Sequence, residues 1–449
     1  MLYRLHTNMF IIGLLTLGFL SVLAANRAFC AITPVTIFAY ITQLALLIWF
    51  SREDRVSYSE KELFLVVLFY GFLIGGLIIV VSNYYNGEEF LFEDPDAALY
   101  YREGMKSVNI GILENMKRYL VNHPFTDWGA LTFSSVMLSI IPSFYFVNAI
   151  YILLGAIASV LLFRIGKHVM PEAYAYLASL SYSTSSYLIL FHCTFLKESL
   201  FILLVICVMY YFYKSVIEGN NGALFWVLIF VILVAFFRTA VVAFLLASLT
   251  AYYAVTQRGS ALSLFLYGII GIGLLASMAY LQTQMEFYTA GGDRDVILAE
   301  SGSSNYSGGF NFFVGWFAAL FGPFPTLFPT EALGPVTMNF YGAGLVSKLF
   351  LAIPIWIGVF MAVKHFDILM IPLVVFVVIE VGASAYVMAS LELRKVMLHV
   401  PFTYILSFYG LYQLERRDVS TFTKQLLEVT GNVMTVGILL LWNVIRVKG

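Results

Sequence analysis

Charge is scarce in this sequence: Asp, Glu, Lys and Arg make up only 11% of its 449 residues. In a soluble domain about a quarter of the residues are charged, so no ordinary water-soluble fold suits this composition. The formal net charge is −1, which leaves no basic surface of the kind that binds nucleic acid. A nucleic-acid partner is therefore not expected.

Residues that bind metals or form disulfides are also few. The six histidines are scattered along the chain rather than clustered at the spacings of metal ligands. Cys30, Cys193 and Cys207 lie in or beside apolar runs and form no C-x-x-C pair. The sequence therefore predicts small, buried, apolar side chains at these three positions.

Apolar residues are what the chain has in excess. They make up 61% of the sequence, and the mean hydropathy is +0.88. Apolar runs recur at 9–25, 63–81, 149–162, 201–213, 262–280 and 368–379. Since about 20 such residues cross a bilayer as a helix, the sequence predicts an all-α, polytopic transmembrane helical bundle of about 11–13 helices. The run at 9–25 is kept as a membrane helix, because no clear signal-peptide cleavage site follows it.

Two polar stretches divide the chain into five parts. The expected parts are three leading transmembrane helices (1–81), a first extracytoplasmic loop with an acidic motif (82–143), a transmembrane core (144–281), a second extracytoplasmic loop (282–344) and C-terminal transmembrane helices (345–449). Short interfacial helices are expected in both long loops. Placing short basic connectors, such as those with Arg164, Lys167 and Lys214, in the cytoplasm puts the amino terminus there as well. The expected location is the plasma (inner) membrane, crossed many times.

The first long loop carries the candidate catalytic acids, Asp94 and Asp96, in an Asp-Pro-Asp turn. The proline constrains the backbone, so both carboxylates face outward shortly after a membrane exit. Either one is placed to deprotonate an acceptor hydroxyl, or to hold a divalent cation such as Mg²⁺ or Mn²⁺ at a phosphate. A solvated acidic turn is the alternative. Further along the loop, residues 123–128 form a turn that either contacts a substrate or anchors Trp128 at the interface.

Cationic residues are expected at the same outer level as this loop. Arg238 lies in the apolar run 224–251, where a charge is costly and usually serves a site. We therefore expect two short helices that meet at Arg238. The cationic and polar candidates at this level would together bind a phosphate or diphosphate. For the Lys197–Glu198 pair, the alternative is an interfacial anchor. The phosphate-binding candidates are His192, Lys197, Glu198, Arg238, Arg394, Lys395 and His399.

The order of these features resembles the integral-membrane C-type glycosyltransferases and the related repeat-unit polymerases of surface polysaccharides, such as O-antigen. The matching segments are Asp94-Pro-Asp-Ala-Ala-Leu-Tyr-Tyr, Phe195-Leu-Lys-Glu-Ser-Leu-Phe, Phe237-Arg-Thr-Ala, Gly322-Pro-Phe-Pro and Leu393-Arg-Lys-Val-Met-Leu-His-Val-Pro-Phe. The resemblance implies an outer-loop base at Asp94 or Asp96, and phosphate contacts from Lys197, Arg238 and Arg394. One departure is that three apolar runs precede the acidic loop, where that class usually has one.

The leading expectation is a bacterial membrane glycosyltransferase. It would transfer a sugar from a polyprenyl-phosphate or polyprenyl-diphosphate donor to a glycan or lipid-linked acceptor, with inversion at the anomeric carbon. An O-antigen or capsule-type repeat-unit polymerase is the close alternative. A lipid-linked oligosaccharide flippase or transporter would show repeats and broken helices at the membrane midplane. In a structural scaffold, the polar clusters should lie far apart.

Overall fold

The fold is entirely helical over the residues that the computed structural model describes, which are 32–52, 57–86, 95–123, 125–256, 352–364, 367–388, 397–416 and 430. Its helices, in chain order, are α1 (Thr33–Phe50), α2 (Glu60–Asn86), α3 (Pro95–Ile110), α4 (Ile112–Asn122), α5 (Trp128–Ile140), α6 (Phe144–Lys167), α7 (Glu172–Ser183), α8 (Ser186–Cys193), α9 (Glu198–Glu218), α10 (Asn221–Ala235), α11 (Thr239–Thr256), α12 (Ala352–Lys364), α13 (Ile371–Met388) and α14 (Val400–Arg416). Short 3-10 turns at Phe125–Asp127 and Ile368–Met370 precede α5 and α13. The all-α expectation is confirmed for these residues.

Five of the helices, α1, α2, α6, α9 and α11, are long and apolar enough to cross a membrane. Each has 18 residues or more, and a rise of about 1.5 Å per residue makes such a helix long enough to span the apolar layer. Large apolar side chains such as Phe69 and Leu228 face outward, as expected for a surface covered by lipid rather than water. The composition of the chain and these helices together indicate a membrane protein.

Helix α6 lies at the centre of the described bundle and packs against α2, α7 and α9. Small residues permit the close contacts, since a side chain at Gly71 would meet Ile152 and one at Gly75 would meet the sulfur of Cys193. Cys193 and Cys207 are buried, as the sequence predicts, and Cys30 lies outside the described residues.

One end of the bundle, which we call the Arg164 end, is held by charged residues. The Arg164 Nη2 lies 2.7 Å from Glu60 Oε2, and the Lys167 Nζ lies 3.2 Å from Glu60 Oε1. Arg164 also donates to the phenol oxygen of Tyr210, 3.3 Å away, in the C-terminal half of α9. These partly exposed pairs contribute about 1 kcal/mol at most, but they show that the start of α2 and the ends of α6 and α9 lie together.

Residues 95–140 of the expected first loop form the three helices α3, α4 and α5. The Asn115 amide donates to the Glu103 carbonyl at 2.7 Å and to the Ser135 hydroxyl at 3.0 Å, which ties α4 to both neighbours. The Tyr119 phenol and the Thr132 hydroxyl lie 2.7 Å apart. Burial raises the pKa of Tyr119, so its phenol stays protonated. The expected second loop, 282–344, lies outside the described residues.

A run of hydroxyl side chains lies within the segment 174–191, at the point where its helix is interrupted. The Thr184 hydroxyl donates to the Leu180 carbonyl at 2.7 Å, and the Ser185 hydroxyl donates to the Tyr182 carbonyl at 2.6 Å. Such side-chain bonds compete with the helical backbone pattern. The segment therefore folds as α7 and α8 rather than as one helix. By contrast, the predicted break at Arg238 is confirmed, because α10 ends at Ala235 and α11 begins at Thr239.

Candidate functional site

The candidate site is centred on Lys197, in the short connector between α8 and α9. Its Nζ lies 2.6 Å from Asp127 Oδ1 and donates to the carbonyl of Thr126 at 3.3 Å. Lys197 is 6% exposed, whereas the Asp127 side chain is 21% exposed. The pair therefore joins the start of α9 to the start of α5, with the carboxylate on the open side.

The acidic motif reaches the same place through α3. The Tyr100 phenol donates to Asp127 Oδ1 at 3.1 Å, and the Lys197 Nζ lies 5.6 Å from the centre of the Tyr100 ring. Asp96 is one helical turn before Tyr100 and is partly exposed. Residues four apart share a helix face, so Asp96 lies on the α3 face that meets Lys197.

Arg238 joins this group from the turn between α10 and α11. The backbone N–H of Gly129, two residues after Asp127, donates to the carbonyl of Phe236 at 3.0 Å. The Arg238 guanidinium carbon lies 5.9 Å from the centre of the Phe201 ring in the first turn of α9. Tyr100, Asp127 and Lys197 therefore form what we call the Lys197 cluster. Asp96 lies one turn away on α3, and Arg238 lies against the first turn of α9.

The connector that presents Lys197 has an unusual backbone. Phe195 has φ of 59°, in the left-handed region that a bulky residue rarely adopts. Its ring is held by Tyr101, Phe144 and Tyr151, with ring centres 5.6, 5.8 and 6.3 Å away. Such a conformation costs about 1–3 kcal/mol and persists where the surroundings enforce it, often at functional sites. The aromatic packing therefore fixes the direction in which the chain turns before Lys197.

His192 and Glu198 lie in the protein interior beside this connector. The His192 Nδ1 is 2.7 Å from the Ser199 hydroxyl, which ties the end of α8 to the first turn of α9. His192 is 4% exposed and Glu198 is 2% exposed. Neither is open to solvent, so their contribution to phosphate binding, which the sequence predicts, would be to position the connector.

Gly155 of α6 lets His192 approach closely, because a methyl group there would overlap the imidazole, with Cε1 only 2.9 Å away. We expect Gly155→Ala to displace the ring, weaken its bond to Ser199 and lower the free energy of unfolding by about 1–3 kcal/mol. Thermal unfolding in detergent measures this change. In the double variant Gly155→Ala/His192→Ala the ring is gone, so the two losses should be less than additive. Additive losses would contradict the proposed contact.

His399 lies elsewhere, in a buried hydrogen-bonded pair with Glu380 of α13. A phosphate at His399 would compete with this carboxylate inside the protein, and the assignment of His399 stays a prediction. Asp94, Arg394 and Lys395 lie outside the described residues, so their assignments stay predictions.

Within the part of the chain that the structure describes, no three His, Cys, Asp or Glu residues come together as metal ligands. The divalent cation expected at Asp94 or Asp96 stays a prediction.

Asp127 and Tyr100 are the members of the site that sequence reasoning did not single out. The turn 123–128 is a predicted substrate contact, but nothing in it distinguishes Asp127 from an ordinary residue before a helix. The available signal was an acidic residue at the start of the apolar segment 128–140, at the same expected level as Lys197. Comparisons with family models, with curated proteins and with solved structures gave no match to this chain.

Proposed function

We propose that this chain is a membrane glycosyltransferase that takes a sugar from a polyprenyl-phosphate or polyprenyl-diphosphate donor during assembly of a cell-surface polysaccharide. The observation that carries the proposal is the Lys197 cluster, where a buried lysine, a carboxylate and a phenol from three separate segments meet at the start of a spanning-length helix. Arg238 lies against the first turn of the same helix. A lipid-borne donor suits such a site, because the membrane itself positions the phosphate at the helix ends.

Sidedness supports the proposal further. Lys197 lies at the start of α9, and Tyr210 of the same helix contacts Arg164. At 1.5 Å per residue, Lys197 and Tyr210 are about 20 Å apart along the helix axis. The cluster and the Arg164 end therefore lie at opposite ends of the helix. With basic connectors in the cytoplasm of a bacterium, the Lys197 cluster faces the extracytoplasmic side of the plasma membrane, and the amino terminus is cytoplasmic.

The cationic residues would act on the leaving phosphate, and the carboxylates on the attacking hydroxyl. Lys197 and Arg238 would bind the phosphate and stabilise the negative charge that develops as it leaves. The carboxylate of Asp94 or Asp96 would accept the proton of the acceptor hydroxyl while the hydroxyl oxygen forms a bond to the anomeric carbon. The bond from that carbon to the phosphate oxygen breaks, and the phosphate keeps the electron pair. Attack from the opposite face inverts the anomeric configuration.

Two alternatives remain to be separated by experiment. A repeat-unit polymerase would use the same chemistry with a larger transferred group. A flippase for lipid-linked oligosaccharides is favoured by one observation, the break between α7 and α8, since broken helices often line transport sites. A scaffold role is disfavoured, because it predicts polar groups far apart, whereas those of the Lys197 cluster meet.

The deciding experiment is sugar transfer by the purified full chain from a labelled polyprenyl-linked sugar. We expect Arg238→Ala to lower kcat/KM by about 10²–10³, the usual cost of removing one group that stabilises transition-state charge. Asp94→Ala and Asp96→Ala identify the base. Lys167→Ala, at the opposite end of the bundle, is the matched control and should retain activity. Equal turnover by the three site variants would refute the residue assignments, and movement of the lipid without transfer would favour the flippase.

A further inference from the structure

The ion pair between Asp127 and Lys197 occupies the position that the proposed function gives to a phosphate. A lysine ammonium that is 6% exposed needs a negative partner, and Asp127 provides one 2.6 Å away. The same carboxylate oxygen accepts the Tyr100 phenol at 3.1 Å. The charge of Lys197 is therefore already balanced within the protein before any ligand arrives.

An incoming phosphate would meet this carboxylate directly. Two anions beside one ammonium repel each other, so the phosphate must either displace Asp127 or bind with reduced affinity. The Asp127 side chain is the partner that can move, because it is 21% exposed and belongs to the 3-10 turn Phe125–Asp127 rather than to a long helix. Lys197, by contrast, is fixed at the start of α9.

We propose that the Asp127 carboxylate pairs with Lys197 when no donor is bound, and that the phosphate of the lipid donor replaces this carboxylate at Lys197 when the donor binds. This inference rests on the proposed function and deepens it. The ligand is a phosphate monoester or diphosphate, with Arg238 as the second cation that neighbours the site. On exchange, Asp127 is released from Lys197, so its carboxylate becomes available only when the donor is bound.

The exchange predicts a change in affinity opposite to that of an ordinary site mutation. Asp127→Asn removes the competing anion but keeps the shape and a hydrogen-bond acceptor for Tyr100. We expect this variant to bind farnesyl phosphate about tenfold more tightly than the original chain, and to gain more thermal stability from the ligand. Asp127→Ser should shift affinity in the same direction, which keeps the test decisive if the asparagine variant does not fold. Lys197→Gln should weaken farnesyl phosphate binding, and in the double variant with Asp127→Asn the gain in affinity should be absent.

Binding is measured on the full chain in nanodiscs, without sugar or acceptor. The matched control is Asp367→Asn, because Asp367 also accepts a tyrosine hydroxyl, that of Tyr409 at 2.9 Å, away from the Lys197 cluster. Its affinity for farnesyl phosphate should equal that of the original chain. Farnesol tests the prenyl tail, and inorganic phosphate tests the headgroup alone.

The outcomes separate this inference from the proposed function. Tighter binding of farnesyl phosphate and of inorganic phosphate by Asp127→Asn, with farnesol unchanged, supports the exchange even if no sugar transfer is detected. Unchanged or weaker phosphate binding by both Asp127 variants refutes it, even in a chain that transfers sugar. An equal gain for farnesol would also refute it, because the prenyl tail would then account for the change.

Discussion

Lys197→Gln is expected to reduce kcat/KM for sugar transfer by about a thousandfold, the largest effect of any single substitution in the site. Glutamine keeps most of the side-chain volume but removes the charge that would bind the phosphate and stabilise it as it leaves. Lys197 is also the residue that the strained connector at Phe195 directs toward Asp127. Transfer from a labelled polyprenyl-linked sugar, measured over a range of donor concentrations, gives kcat and KM separately.

Lys214→Gln is the matched control for this prediction. Lys214 lies on the same helix, α9, toward the Arg164 end, so its loss should leave transfer unchanged. Loss of Lys197 leaves the Asp127 carboxylate 21% exposed and still bonded to the Tyr100 phenol, so thermal unfolding in detergent is used to show that the variant is folded before its activity is measured. Full activity of folded Lys197→Gln would exclude a phosphate at this position.

The features that the sequence predicted correctly depend on strong local signals. An arginine within an apolar run is costly in a lipid-exposed helix, so its charge predicts the break that is found at Arg238. Apolar runs predicted the existence of the long helices, and the placing of basic connectors on one side predicted that Lys197 and Arg238 lie at the same end. Lys197 immediately precedes the first turn of α9, and Arg238 lies against the Phe201 ring in that turn.

The remaining features could not be read from the sequence, because they depend on partners far apart in the chain. Asp127 is 70 residues from Lys197, and neither a motif nor a periodicity links them. The pairing of His399 with Glu380 likewise joins residues 19 positions apart, with no motif to indicate it. The break at Thr184 arises where hydroxyl groups bond to the backbone, an effect that competes with the helical preference of an apolar run.

Gly358→Ala and Gly410→Ala are each expected to lower the free energy of unfolding by about 1–3 kcal/mol or more, the largest stability effects outside the site. A methyl group at Gly358 would overlap the Leu406 carbonyl, and one at Gly410 would lie 2.8 Å from the Gly358 nitrogen. These obstacles are backbone atoms, which cannot rotate away as a side chain can. Helices α12 and α14 would have to separate, with loss of the close packing that small residues permit.

Gly76→Ala is the control that isolates this clash, because a methyl group at Gly76 of α2 would meet no atom within 4 Å. Alanine is favoured over glycine within a helix by about 0.5–1 kcal/mol, so Gly76→Ala should stabilise slightly where the other two destabilise. The double variant Gly358→Ala/Gly410→Ala should lose less than the sum, since helices already moved apart accommodate the second methyl group. Thermal unfolding in detergent measures all four variants. A gain in stability at Gly358 or Gly410 would mean that the two backbones are not in contact.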